Sequence, residues 1–283
     1  MSDWDAWIGR ETVQADTLGR SLAARWLAMF DLDPRTSGAM PQGIHLCLCT
    51  PEAPQAALGQ DGHPARDNGP DSFFPPIPLP RRMWASSAIH FFTPLEIGQP
   101  IERSSRIVSV SEKSGSTGAL GFVDVEHRTM VGGKVAISEV QTLVYRDAVP
   151  ADAPLSPPEP DDGSFDPSEW DAYQEILPDS RLLFRYSALT FNTHRIHYDL
   201  PYARDVERYR NLVVHGPLMA SLLLQLAARE LGDNKLTSFN FRAVSPAMVD
   251  EPLNLAMRRT DEGFELGTFA SDGRQCVRAS ATA

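Results

Sequence analysis

Residues 215–232 read HGPLMASLLLQLAARELG, and this stretch decides the fold. Pro217 suits the first position of a helix, because the N–H it lacks would have no intrahelical acceptor there. Gly232 is a natural C-terminal stop. Between them apolar side chains occupy positions 218, 219, 222, 223, 224, 226 and 227, so nearly every face of the helix is apolar. Such a helix has to be wrapped on most sides. The run from Leu218 to Ala228 is too short to span a bilayer and carries Ser221 and Gln225. A curled antiparallel sheet around one central helix satisfies these demands.

The flanking sequence supplies that sheet. Phe239–Val244 is strand-like, and Gly263–Ala270 and Arg274–Ala281 alternate with period two around the hairpin turn Asp272-Gly273. The first half repeats the pattern, with Ala88–Phe92, then Gly118–Arg128 and Lys134–Tyr145 around Gly132-Gly133. Thr93-Pro94-Leu95-Glu96-Ile97-Gly98-Gln99-Pro100-Ile101 aligns with Ser245-Pro246-Ala247-Met248-Val249-Asp250-Glu251-Pro252-Leu253. Leu18–Phe30, capped by Asp16 or Thr17, takes the part of the central helix in the first half. The reading is an α+β double hot-dog, two helix-plus-antiparallel-meander repeats fused in one chain, at 1–147 and 171–283. An unrelated two-domain α+β protein would contain the same elements. Between the repeats, 148–170 is rich in proline and acid and reads as a semi-rigid linker. A second irregular stretch, 50–80, carries eight prolines and reads as a lid or binding loop. Gly43–Cys49 reads as a strand in which Cys47 and Cys49 pack against the sheet.

Composition narrows the function. The 283 residues carry 26 basic and 37 acidic side chains, a net charge of −11. A general nucleic-acid binder would present the opposite balance. Three cysteines form no disulfide framework and suit a reducing compartment, and MSDWDAWIGRE lacks the pattern of a secretory leader. The expectation is a cytoplasmic protein that engages neither nucleic acid nor membrane.

The chemistry concentrates in residues 181–217, RLLFRYSALTFNTHRIHYDLPYARDVERYRNLVVHGP. Leu182–Tyr186 reads as a strand. Asn192, His194, Arg195, His197 and Asp199 follow within eight positions, and His215-Gly216-Pro217 stands at the mouth of the apolar helix. A helix start offers unpaired N–H groups and a partial positive charge. Six arginines against three acids between Arg181 and Arg210 make this segment +3. Ion pairs along a helix account for several of these charges, but Arg185 and Arg195 are expected to face an anionic ligand.

The motif Asn192-x-His194-Arg195-Ile196-His197-Tyr198-Asp199 followed by His215-Gly216-Pro217-Leu218 resembles the MaoC-like and type 2 hydroxyacyl-thioester dehydratases of the hot-dog fold. In the first half, Pro75-Pro76-Ile77-Pro78-Leu79-Pro80-Arg81-Arg82-Met83-Trp84-Ala85 and Gly132-Gly133-Lys134 resemble the mesaconyl-C4-CoA and itaconyl-CoA hydratases. The resemblance implies reversible addition of water across a 2-enoyl-CoA. His197 stands at the family's catalytic histidine, as general acid/base, and the backbone N–H of Gly216 would hold the thioester oxygen as enolate charge develops. The wider family has aspartate where this chain has Asn192, which cannot act as a base and would orient the water. Arg82, Trp84, Arg185, His194, Arg195, His215 and Leu218 are expected to hold the substrate, with Arg81 close by. The excess arginine points to a dicarboxylic acyl group, which the resemblance implies is short and branched. Coenzyme A is part of that substrate, and no separate cofactor or metal is implied. Self-association is common for the fold.

Other readings use the same residues. His194, His197, Asp199 and His215 have metal-ligand spacings, although the surrounding arginines oppose a cation. A fatty-acid-type 3-hydroxyacyl-thioester dehydratase, a hot-dog thioesterase and a non-catalytic acyl-CoA-binding module complete the set. For the thioesterase, Gln225 is the one candidate on the buried helix.

Overall fold

The computed structural model describes residues 4–115 and 118–283. The first three residues of the stretch read above as lacking a leader lie outside it. In chain order the elements are β1 Glu11–Thr17, α1 Arg20–Met29, β2 Arg81–Phe91, β3 Pro100–Gly115, β4 Gly118–Val131 and β5 Lys134–Arg146. The second half contributes β6 Ala172–Ile176, α2 Ser180–Thr190, α3 Leu200–Asp205, α4 Gly216–Leu231, β7 Ser238–Ala243, β8 Leu253–Thr260, β9 Gly263–Ala270 and β10 Gln275–Thr282.

All ten strands form one antiparallel sheet in the order β1-β3-β4-β5-β2-β7-β10-β9-β8-β6. Cut between β2 and β7, each half has the same internal order: first, third, fourth, fifth, second. The repeats are therefore topologically equal and meet through β2 and β7, with Ser86 opposite Arg242 and His90 opposite Ser238. Their loops match bond for bond. Phe92 and Thr93 donate to Ala136 O, as Val244 and Ser245 donate to Cys276 O. Met40 N and Ile97 N form the pair Met40→Leu95 and Ile97→Gly38, mirrored by Val214→Ala247 and Val249→Leu212.

That last correspondence corrects one expectation. Met40 matches Val214, so the counterpart of α4 is the single 3-10 turn Ile44–Cys47, and α1 is the counterpart of α2. Only the second repeat keeps a full central helix. Leu218, Met219, Leu223, Leu224 and Leu226 of α4 are buried in the main core with Phe239, Leu253, Leu255 and Val277 of the sheet. Burial of these side chains contributes roughly 1.5–3 kcal/mol each. In the first repeat, the sheet face that a central helix would cover is left open.

Three local assignments also change. Leu182–Tyr186 lies within α2, not a strand. Asp179 caps that helix by accepting Leu182 N at 2.9 Å, and Leu183, Tyr186 and Leu189 face the core with a helical period. Gly43–Cys49 is not extended either: Gly43, at φ +104°, turns the chain into the 3-10 turn. α1 is entered at Gly19, while Asp16 bonds Thr17 N and Cys49 N at 2.6 and 2.7 Å. Residues 148–170 run along the second repeat, where Phe165 packs on Tyr173 and Phe269, and Arg208 Nε donates to Ala153 O at 2.8 Å.

Candidate active site

The uncovered face of the first repeat and the mouth of α4 enclose one cavity of about 1240 Å³. One wall comes from the second repeat: Asn192, His194, His197, His215 and Gly216. The opposite wall is the inner face of β2–β5, and the 50–80 stretch crosses its rim.

His197 sits in a 3-10 turn, Arg195–His197, and is buried. Its Nδ1 lies 2.7 Å from Val213 O, an acceptor only. The Nδ1–H tautomer is thereby fixed, leaving Nε2 with a free lone pair. Burial lowers its pKa to about 4, opposed by the Val213 hydrogen bond and reinforced by the charge of His63. The imidazole is neutral, and thus a competent base, throughout the neutral range. The His215 ring stacks on it at 3.6 Å and 20°, and His215 Nε2 is held 2.8 Å from Ser187 Oγ. Burial, then the charges of His197 and His194, keep His215 well below the usual histidine range. The following residue, Gly216, opens α4, where a backbone N–H has no intrahelical acceptor. A Cβ built there would meet nothing within 4 Å, and Gly216 lines the cavity. His197 and Gly216 thus line one cavity, with the His215 ring stacked on that of His197.

Asn192 faces the same cavity, but its Oδ1 accepts His194 N at 2.9 Å, a turn-stabilising bond. His194 stands edge-on to His197 with centroids 5.5 Å apart. Burial, followed by neighbouring positive charges that include Arg81 and Arg82, lowers its pKa strongly. Arg82 and Trp84 both line the cavity. Trp84 donates Nε1 to Ser87 Oγ at 2.8 Å, and the Arg82 guanidinium lies 5.4 Å from the Phe74 ring centre. Arg81 is committed to a buried pair with Glu207 at 2.6 Å.

Three expected substrate residues are placed elsewhere. Arg185 is on the exposed face of α2, bonded at long range to Ala28 O, because a helical period turns 185 away from Leu183 and Tyr186. Arg195 lies outside the cavity lining, binds Asp199 at 2.7 and 2.9 Å and stacks 4.1 Å over Tyr202, so its charge is already matched. Leu218 is fully buried in the core of the second repeat. Gln225 donates to Gln42 O outside the cavity lining. Asp199 caps α3, so the metal set that includes it does not assemble.

The sequence reading passed over two groups. On the first-repeat wall, Arg103, His127 and Glu139 face inward from adjacent strands, with His45 above them. Glu139, held by Ser87, has its pKa raised by burial. Period-two alternation in β4 is the signal that could have found His127. The second group is Asp61 and His63, at the tip of the 50–80 stretch. The His63 ring lies 4.1 Å from that of His194, and its Nδ1 is 3.1 Å from Asp61 Oδ2. Asp61, His63 and His194 come within 4.8 Å of one another, a spacing open to a cation. Asp61 is already bonded to His63, however, and the positive charge of Arg82 acts on both Asp61 and His194.

The loop tip is docked on the histidine turn: Arg195 N donates to Asp61 O at 2.8 Å, Thr193 Oγ1 to Gly62 O at 2.5 Å, and Arg195 Nη1 to Gln60 O at 2.9 Å. Gly62, at φ +88°, permits this approach, since a Cβ there would fall 1.9 Å from Thr193 O. Gly62→Ala should therefore undock residues 58–64, combining a left-handed strain of about 1–3 kcal/mol with a backbone clash. Limited proteolysis should show new cleavage in this segment with the core intact; an unchanged digestion pattern would contradict the docking.

The family model for hydroxyacyl-thioester dehydratase type 2 matches residues 43–249. The mesaconyl-C(4)-CoA hydratase of Chloroflexus aurantiacus is 40% identical over 285 residues, covering 99% of this chain and 97% of the relative. Among solved structures, a MaoC-like dehydratase from Phytophthora capsici superposes with a TM-score of 0.69 at 14% identity, covering 97% of this chain and 95% of that one. A double hot-dog protein of Mycobacterium tuberculosis gives 0.60 at 16% identity, covering 97% and 96%. Those two likenesses bear on the fold alone.

Proposed function

The chain belongs to the hydroxyacyl-thioester dehydratase type 2 family and is a hydro-lyase, and from that premise we propose that it hydrates a short, branched, dicarboxylic enoyl-CoA of the mesaconyl-C4 or itaconyl kind. The observation that carries this reading is that a neutral, tautomer-fixed His197 and Gly216, the first residue of α4, line the same cavity. His197 Nε2 takes a proton from water as its oxygen attacks the β-carbon. Electron density moves to the thioester oxygen, where the Gly216 N–H and the start of α4 stabilise it. Asn192 and His194 border the water's approach.

Two features support the acyl class. Arg82 lines the cavity beside His194 and suits a free carboxylate close to the reacting carbons, the role that Arg185 and Arg195 cannot fill. On the first-repeat wall, Arg103, His127 and Glu139 offer polar partners for a second carboxylate within a lining that is otherwise largely apolar. Arg146 and Arg208 on the same cavity suit the phosphates of coenzyme A. No helix among the described residues is long and apolar enough to cross a membrane, and Cys47, Cys49 and Cys276 are free and buried, in keeping with a reducing, cytoplasmic setting.

Incubation with mesaconyl-C4-CoA, itaconyl-CoA, crotonyl-CoA and a long-chain enoyl-CoA, followed by mass spectrometry, tests the reading. A gain of one water, with kcat/KM at least 10-fold higher for the dicarboxylic members, is expected. Free CoA would mean thioesterase, preference for the long chain would mean a fatty-acid-type dehydratase, and no reaction would mean a binding module.

A further inference from the structure

Hydration needs two proton transfers, one from water at the β-carbon and one to the α-carbon. The histidine turn supplies a single group suited to this: Asn192 does not titrate near neutrality and its Oδ1 is held by His194 N, while burial and the positive charges around His194 oppose its taking up a proton. We propose that the second group is His63, reaching the site from the first repeat and oriented by Asp61.

The geometry is that of a carboxylate-held imidazole. Asp61 engages the histidine twice, Oδ2 to Nδ1 at 3.1 Å and Oδ1 to the backbone N–H at 3.0 Å. An ionised carboxylate only accepts, so Nδ1 carries a proton and Nε2 is the exchanging nitrogen. Burial alone would raise the Asp61 pKa, but its bonds to His63 and the charges of His63 and Arg82 outweigh this and keep it low, hence ionised. His63 lines the same cavity as His197, and the His194 ring stands between them, 4.1 Å from one and 5.5 Å from the other. The three hydrogen bonds from Thr193 and Arg195 to residues 60–62 fix this loop on the very turn that bears His197. A loop needed only as a cover would not require a glycine pressed against Thr193 O to place one imidazole beside another.

The steps balance. Water's O–H bond breaks as His197 Nε2 takes the proton, and the new C–O bond forms at the β-carbon. The C=C electron pair shifts through the α-carbon onto the thioester oxygen. As that enolate collapses, the Nε2–H of protonated His63 breaks and a C–H bond forms at the α-carbon. Proton exchange between protonated His197 and neutral His63 through water restores both. Asp61 holds the His63 ring through Nδ1, and in dehydration Nε2 of the same ring removes the α-proton.

This inference rests on the hydratase reading, and the test separates the two. With the panel member the wild-type enzyme hydrates best, His63→Ala should lower kcat at least 100-fold with KM changed less than 3-fold. Added imidazole, but not sodium chloride of equal ionic strength, should recover at least 10-fold of that loss, since His63 stands at an open rim. Asp61→Asn should lower kcat about 10-fold. Thermal melting and butyryl-CoA binding serve as folding controls. Should His63→Ala not fold, His63→Gln carries the same expectations apart from rescue. A kcat within 3-fold of wild type, or a loss confined to KM and untouched by imidazole, overturns the proposal. If the wild-type enzyme hydrates no member of the panel, the functional reading falls and this inference with it.

Discussion

His197→Ala is expected to lower kcat for enoyl-CoA hydration at least 1,000-fold while butyryl-CoA still binds. Positioned acid–base catalysis contributes roughly 10²–10⁴-fold, and here the base also defines where the attacking water sits. Its neighbours are poorly suited to replace it: burial and nearby positive charge hold His194 and His215 well below the usual histidine range. His215 has Nε2 committed to Ser187, and Asn192 is an amide. Truncation also leaves Val213 O without its donor inside the protein, a loss of about 1–3 kcal/mol in stability. His197→Asn, able to keep a donor near Val213 O, should therefore melt closer to wild type yet remain equally inactive. Steady-state kinetics with calorimetry of both variants checks this. Activity within 10-fold of wild type in either would remove His197 from the chemistry.

A steep loss of stability between pH 7 and pH 4.5 is the second large effect. Burial lowers His197 and His127 from 6.5 to about 4, and His45 to about 3, with Arg103 adding to the shift at the latter two. His194 and His215 move the same way. A histidine with a depressed pKa in the fold is neutral there while the unfolded chain takes up a proton, so stability rises with pH across this window. The contribution is complete above about 6.5 and is lost as pH falls through the folded values. His127 and His197 alone each amount to on the order of 3 kcal/mol. Glu139, whose pKa is raised, runs the other way, but it is one group against five. At 2–4 °C per kcal/mol for a chain of this size, Tm should fall by roughly 15 °C or more between pH 7 and 4.5. Scanning calorimetry at fixed ionic strength decides it: a flat or rising Tm would show that these imidazoles are hydrated in solution.

The chain announced some of this locally. The apolar circumference of α4, the period-two runs of β9 and β10, the paired Pro-x5-Pro segments after β2 and β7, and the crowding of polar residues from 192 to 216 are all readable along a few consecutive residues. Burial imposes a period on whatever is adjacent in sequence, and that period is legible without coordinates. The same rule misled where the period was short. Five residues, Leu182–Tyr186, fit strand or helix equally, and the strand choice pointed Arg185 toward a ligand when Asp179 had in fact capped a helix. Leu18–Phe30 looked like a central helix, because nothing local reveals which helix of a repeat the sheet encloses.

Convergence across the chain belonged to the tertiary structure alone. His63 stands 131 residues before His194, in a proline-rich loop without a pattern, and only the docking at Gly62 sets the two rings face to face. Arg103, His127 and Glu139 become one polar wall through the register of three strands. Reducing the first repeat's central helix to one turn opened the space beneath it. The sequence determined which surfaces had to be hidden from water; which side chains meet was decided by strand register and loop closure, which depend on every intervening residue at once.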